Sequence, residues 1–152
     1  MMRMMIYAVL LLIFLKISIS DWKMHRILNR DLIWICMLAV PICLADPRGF
    51  LTEYLPGAFA VSIPMALLLF FIPGSFGGGD IKFTAAAGLV LGIRKVLLGS
   101  MAAVLFAGVY CLYLLVWKKE GRKAVFAFGP FLCMGMTAAL LFGEQMAAWL
   151  LS

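Results

Sequence analysis

Six apolar runs, at residues 4–20, 32–45, 55–73, 81–93, 96–117 and 130–151, are separated by short polar clusters. The runs predict an all-α, polytopic membrane protein of six transmembrane helices joined by short loops. No internal repeat or linker marks a boundary, so residues 1–152 are expected to form a single transmembrane domain. Composition supports this. Hydrophobic residues make up 66% of the chain, against roughly 45–50% in soluble domains, and the mean hydropathy is +1.10. With about 20 residues needed per span, six helices leave almost nothing for a soluble domain.

The formal charge of +6 raises the possibility of nucleic-acid binding. In a polytopic chain, loop lysines and arginines that set orientation are the better account, so membrane lipid is the expected surrounding and nucleic acid is not a partner. With six helices, the first, third and fifth loops and their helix ends carry Lys16, Lys23, Arg26, Arg30, Lys82, Lys118, Lys119, Arg122 and Lys123, nine of the 13 basic residues. The opposite face carries Arg3, Arg48, Arg94 and Lys95. The positive-inside bias then puts the first face in the cytoplasm and both termini outside. Reading the first run as a cleaved signal peptide, with Ser18 and Ser20 before Asp21, fits less well. Lys16 interrupts its apolar stretch, and more basic residues follow it than precede it.

This topology places Asp21, ending helix 1, and Asp80, opening helix 4, at the same cytoplasmic end. Residues 81–93 are short for a span, about 20 Å of helix against about 30 Å of hydrocarbon. With Arg94 and Lys95 anchoring the outer end, Asp80 lies below the inner surface. A carboxylate and the glycine-rich backbone of "GSFGGGDIKF" at that depth are tolerable only against protein or water. Together they imply a hydrated pocket open to the cytoplasm.

Two carboxylates sharing a site do not both ionise readily, so one retains a proton. Such a pair is the acid/base machinery of aspartic proteolysis: one member activates a water, the other polarises the peptide carbonyl. Glycines alongside let a substrate backbone approach. Each residue also has a plainer reading. Asp21 as a solvated helix end, Asp80 as a helix cap and Asp31 as the cap of helix 2 all fit their positions. Lys82 fits a snorkelling lysine or one that tunes the pair. His25 lacks ligand partners, and Glu144 falls toward the outer side with no assigned role. Cys36, Cys43, Cys111 and Cys133 form no CxxC pair and read as small residues of the apolar runs. No metal or cofactor is expected.

Three segments, in order, then carry a resemblance. "GGGDIK" (residues 77–82) resembles the GxGD signature, with its following lysine, of the type IV prepilin peptidases. "DWKMHRILN" (21–29) is similar to that family's first-aspartate segment, with Leu28 where proline is usual, and "FAFGPFLCMG" (126–135) is similar to the Phe-Gly-Pro segment opening its last helix. The resemblance implies an aspartic endopeptidase that removes the basic leader of prepilins or pseudopilins at the cytoplasmic face of the bacterial inner membrane. It implies Asp21 and Asp80 as the catalytic pair and Gly77 and Gly79 as motif glycines. Gly78, Lys82, Asn29, Gly129 and Pro130 would be supporting residues. The cysteine-bearing loop that accompanies N-methylation in long family members has no counterpart here, so a peptidase-only form is expected. Two other functions remain open: the same chemistry on other helical substrates, and a small transporter or scaffold whose broken segment binds an ion or a proton. No oligomeric state is legible.

Overall fold

The computed structural model describes residues 2–24, 27–72, 77–114, 116 and 128–151. His25, Arg26, residues 73–76, Lys118, Lys119, Arg122, Lys123 and residues 124–127 lie outside the described residues, as do the side chains of Arg3 and Glu144. The described residues form helices: α1 (Met2–Met24), α2 (Asn29–Ala45), α3 (Pro47–Phe71), α4 (Gly78–Leu91), α5 (Ile93–Tyr113) and α6 (Gly129–Leu151). Three of them, over Met4–Met24, Pro47–Phe71 and Ile93–Tyr113, are long and apolar enough to cross a membrane, and Gly129–Gly143 is a shorter apolar helix.

Helix α1 contains neither glycine nor proline. Its buried stripe of Ile6, Leu10, Phe14, Ile17 and Asp21 follows the 3.6-residue repeat, so Asp21 continues the core-facing row. Val9, Leu12, Leu15 and Ile19 face outward and are equally apolar, as expected where the outside is lipid. In α3 the backbone widens into a π-turn over Phe50–Tyr54, just before Pro56. Proline has no N–H to continue the regular ladder, and the bulge takes up the mismatch.

Helices turn back on themselves with very little loop. Asp46 alone separates α2 from α3, and its carboxylate accepts the Gly49 N–H at 3.0 Å. Gly92 alone separates α4 from α5, with a φ of 81°. An L side chain disfavours that backbone, so glycine is required there. These tight turns correct several expected boundaries. Arg94 and Lys95 are in the first turn of α5 rather than in a loop, Arg48 is inside α3, and α2 begins at Asn29 rather than at Leu32. The physical reason is that hydropathy marks where a helix leaves hydrocarbon, while its hydrogen-bonded ladder runs on through polar residues. Lys95 does not anchor outward alone: its Nζ donates to the Tyr7 hydroxyl at 3.4 Å and lies 4.9 Å from that ring's centre.

Packing divides the molecule into two halves. Helix α6 carries α1 and α5, and α4 carries α2 and α3. Small residues permit the closest contacts. Gly57 of α3 meets α4 backbone to backbone at Gly88, where an added Cβ would stand 2.7 Å from the Ala58 nitrogen. Gly135 of α6 meets α5 the same way, 2.7 Å from the Ala103 nitrogen. The halves join where α3 packs on α5 and where Phe14 of α1 meets Phe83 of α4 edge to face, 5.2 Å between ring centres.

Candidate active site

Three helix ends converge on the acidic pair. Asp21 comes from the last turns of α1, Asp80 from the first turn of α4, and Gly129 opens α6 against Asp21. Both carboxylates are buried, at 6% and 7% exposure, and they stand close enough for the charge of Asp21 to act on Asp80. Two of the predicted residues, 59 positions apart by their numbers, are thus brought together. Asp21 lies in the last turn of α1 and Asp80 in the first turn of α4, at the helix ends that the sequence suggested.

Local hydrogen bonding fixes Asp80. Its Oδ2 accepts the Gly77 N–H at 3.3 Å, and its own N–H reaches the Gly77 carbonyl at 3.0 Å, closing the first turn of α4. Behind it, the fully buried Thr84 hydroxyl donates to the Asp80 carbonyl and lies 3.6 Å from the Met65 sulfur of α3. Gly77, not Asp80, thus holds the cap position; Asp80 stands at the third residue of the helix, reaches back to the Gly77 N–H, and lies within electrostatic reach of Asp21.

The glycines differ in what they do. A Cβ on Gly79 would press on Ile27 at 3.2 Å, so this glycine lets the segment after α1 close over α4. Gly77 lies against the Asp80 carboxylate, and nothing stands within 4 Å of a Cβ on Gly78. On Gly129 a Cβ would come 2.7 Å from the Asp21 carboxyl carbon, so a side chain there would push that carboxylate from its place. Pro130 follows within the first turn, where its missing N–H costs nothing, and is buried.

The other supporting residues stand apart. Asn29 and Lys82 are exposed and border a groove of about 580 Å³ between α2 and α4. Asp31 does not cap α2. It is 2% exposed and its Oδ1 accepts from Lys16 Nζ at 2.6 Å, while Leu28 occupies the cap position without a side-chain bond. Burial wins because Asp31 points toward α1 rather than back to its own helix end.

Cys133 reads in the sequence only as a small residue of an apolar run, with no link to the site. It is buried within electrostatic reach of both aspartates. One turn beyond Gly129, it shares that residue's face of α6, and this i, i+4 spacing is the signal that could have found it. Among the described residues, no three His, Cys, Asp or Glu side chains gather into a metal site.

Fold and site define a helical, membrane-type protein built around a buried acid pair. Residues 7–112 match the type IV leader peptidase family, and the chain belongs to it. It is 26% identical over 133 residues to the prepilin leader peptidase/N-methyltransferase of Bacillus subtilis (strain 168), covering 88% of this chain and 54% of that protein. The chain thus spans about half the length of the curated relative it matches. No solved structure matches it.

Proposed function

We propose that this chain is a membrane aspartic endopeptidase that removes the leader peptide from prepilins or pseudopilins at the cytoplasmic face of the bacterial inner membrane. The observation that carries this reading is that Asp21 and Asp80 are both buried and within electrostatic reach of one another, in a member of a leader peptidase family. All six helices span the bilayer in this reading, with both termini outside and the pair facing inward.

The pair holds one proton between its two carboxyl groups. The ionised member takes a proton from water as the water oxygen bonds to the scissile carbonyl carbon. The protonated member donates a hydrogen bond to the carbonyl oxygen as that oxygen gains charge. Collapse of the tetrahedral adduct breaks the C–N bond, and the carboxyl group that received the water proton delivers it to the leaving amine. Gly78, open to its surroundings, is where an extended substrate backbone comes near the pair.

Purified chain in liposomes, incubated with a panel of leader-bearing prepilins, leaderless helices and unrelated membrane helices, tests the reading. Cleavage of the leader-bearing set alone is expected. Equal cleavage of leaderless helices moves the chain to a general intramembrane protease. Ion or proton flux without any cleavage would make it a transporter.

Gly129→Ala gives a local check. The added methyl displaces the Asp21 carboxylate, and misplacement of a reacting group by about 1 Å costs on the order of a hundredfold in rate. Steady-state assays should show that loss in kcat with helical content unchanged by circular dichroism.

A further inference from the structure

We propose that Lys16 and Asp31 form a clasp across the seam between the two halves of the molecule, and that this clasp sets the separation of Asp21 from Asp80. Both are then positioning residues of the site. The proposal rests on the peptidase reading only for its kinetic readout.

The acid pair straddles the seam. Asp21 belongs to α1, which rides on α6, and the same half supplies Gly129 against its carboxylate. Asp80 belongs to α4, which carries α2 and α3. Any sliding or opening of one half against the other changes the distance between the carboxylates directly. The contact of α1 with α2 is much slighter than that of α1 with α6 or of α2 with α4. At that slight contact lies the described salt bridge, Lys16 Nζ to Asp31 Oδ1 at 2.6 Å.

Its place in the chain makes it a lever on the site. Lys16 precedes Asp21 by about a turn and a half of α1, about 7.5 Å along the axis. On the other side, Asp31 follows Ile27 by four residues, and Ile27 abuts Gly79, next to Asp80. The clasp therefore closes the α1–α2 hairpin just behind the point where it presses on the start of α4.

Stability does not account for it. An apolar pair of similar size would hold α1 to α2 at least as well, since burying the Asp31 carboxylate offsets much of its attraction to Lys16, whose side chain stays 58% exposed. What apolar side chains lack is a defined register: they slide over one another, whereas a charge-assisted hydrogen bond holds one distance. Asp31 is 2% exposed, and its Oδ2 has no hydrogen-bond partner among the described residues. Lys16 is thus its one ion-pair partner there, and the buried carboxylate is compensated only when the seam is closed.

Two readouts test the clasp. In kinetics on a leader-bearing prepilin in liposomes, Lys16→Met and Asp31→Asn should each lower kcat about tenfold or more, with KM within about twofold. Lys16→Arg, or the exchanged pair Lys16→Asp with Asp31→Lys, should recover most of it. The second readout needs no catalysis. Cys36, Cys43, Cys111 and Cys133 are replaced by Ala, Asp21 and Asp80 by Cys, and disulfide formation under mild oxidation is followed with and without Lys16→Met.

Cross-linking that slows severalfold without Lys16 supports the clasp. Equal cross-linking rates overturn it, as does a kcat loss that only tracks the folded fraction, or one that neither Arg nor the exchanged pair recovers. Should the unaltered chain cleave no leader at all, the peptidase reading fails while the cross-linking rates still decide the clasp. For variants that fold poorly, Lys16→Met with Asp31→Leu removes the buried charge altogether. That variant should accumulate normally yet cross-link as slowly as Lys16→Met.

Discussion

Asp21→Asn and Asp80→Asn are each expected to abolish leader cleavage while the protein inserts and accumulates as before. Each carboxylate is asked to move or hold a proton at the reacting atoms, and an amide does neither. Loss of a positioned acid or base costs on the order of 10²–10⁴ in rate. Because the two act as one unit, the doubly substituted chain should be no slower than either single variant. Retained cleavage by one purified, folded variant would remove that residue from the chemistry. In the unaltered chain the rate should peak where the pair holds one proton. It falls in acid as the ionised base is protonated, and falls in alkali as the shared proton is lost.

The second large effect is on the fold. Gly88→Val places side-chain atoms where α3 and α4 touch backbone to backbone, with even a Cβ only 2.7 Å from the Ala58 nitrogen. Backbone cannot move aside as a side chain does, so α3 must shift off α4. Overpacking of this kind costs about 1–3 kcal/mol or more. Thermal unfolding in detergent should show a Tm lowered by several degrees, and less protein should accumulate in the membrane. Gly108→Ala is the control. Nothing lies within 4 Å of its added Cβ, and helix propensity favours alanine. Its Tm should hold or rise slightly, and a comparable fall in both variants would refute the close-contact argument.

The helices themselves are legible because long apolar runs without polar interruption leave the backbone no partner but itself. Their ends are less so. Arg94 and Lys95 read as a loop, yet the single residue Gly92 makes the turn and both lie in α5. Facing is not legible at all. In α1 the core-side row through Ile6, Leu10 and Phe14 and the lipid-side row through Val9, Leu12 and Leu15 have the same apolar character. A periodicity argument needs contrast between the two solvents, and here there is none. For the same reason Asp31 reads as a helix cap. Only the packing of α1 on α2 reveals Lys16 as its partner.

Taken alone, the chain determined that it forms apolar helices, that acidic residues sit at two of their ends, and that glycines adjoin one of them, because these are properties of local composition and order. Tertiary structure decided which faces turn inward, that Gly129 seats Asp21, that Thr84 and Met65 back Asp80, and that an ion pair between exposed Lys16 and buried Asp31 bridges α1 and α2. The reason is that in lipid the hydrophobic effect no longer selects a face. Close packing of small residues and a few polar contacts make that selection, and they exist only once the helices meet.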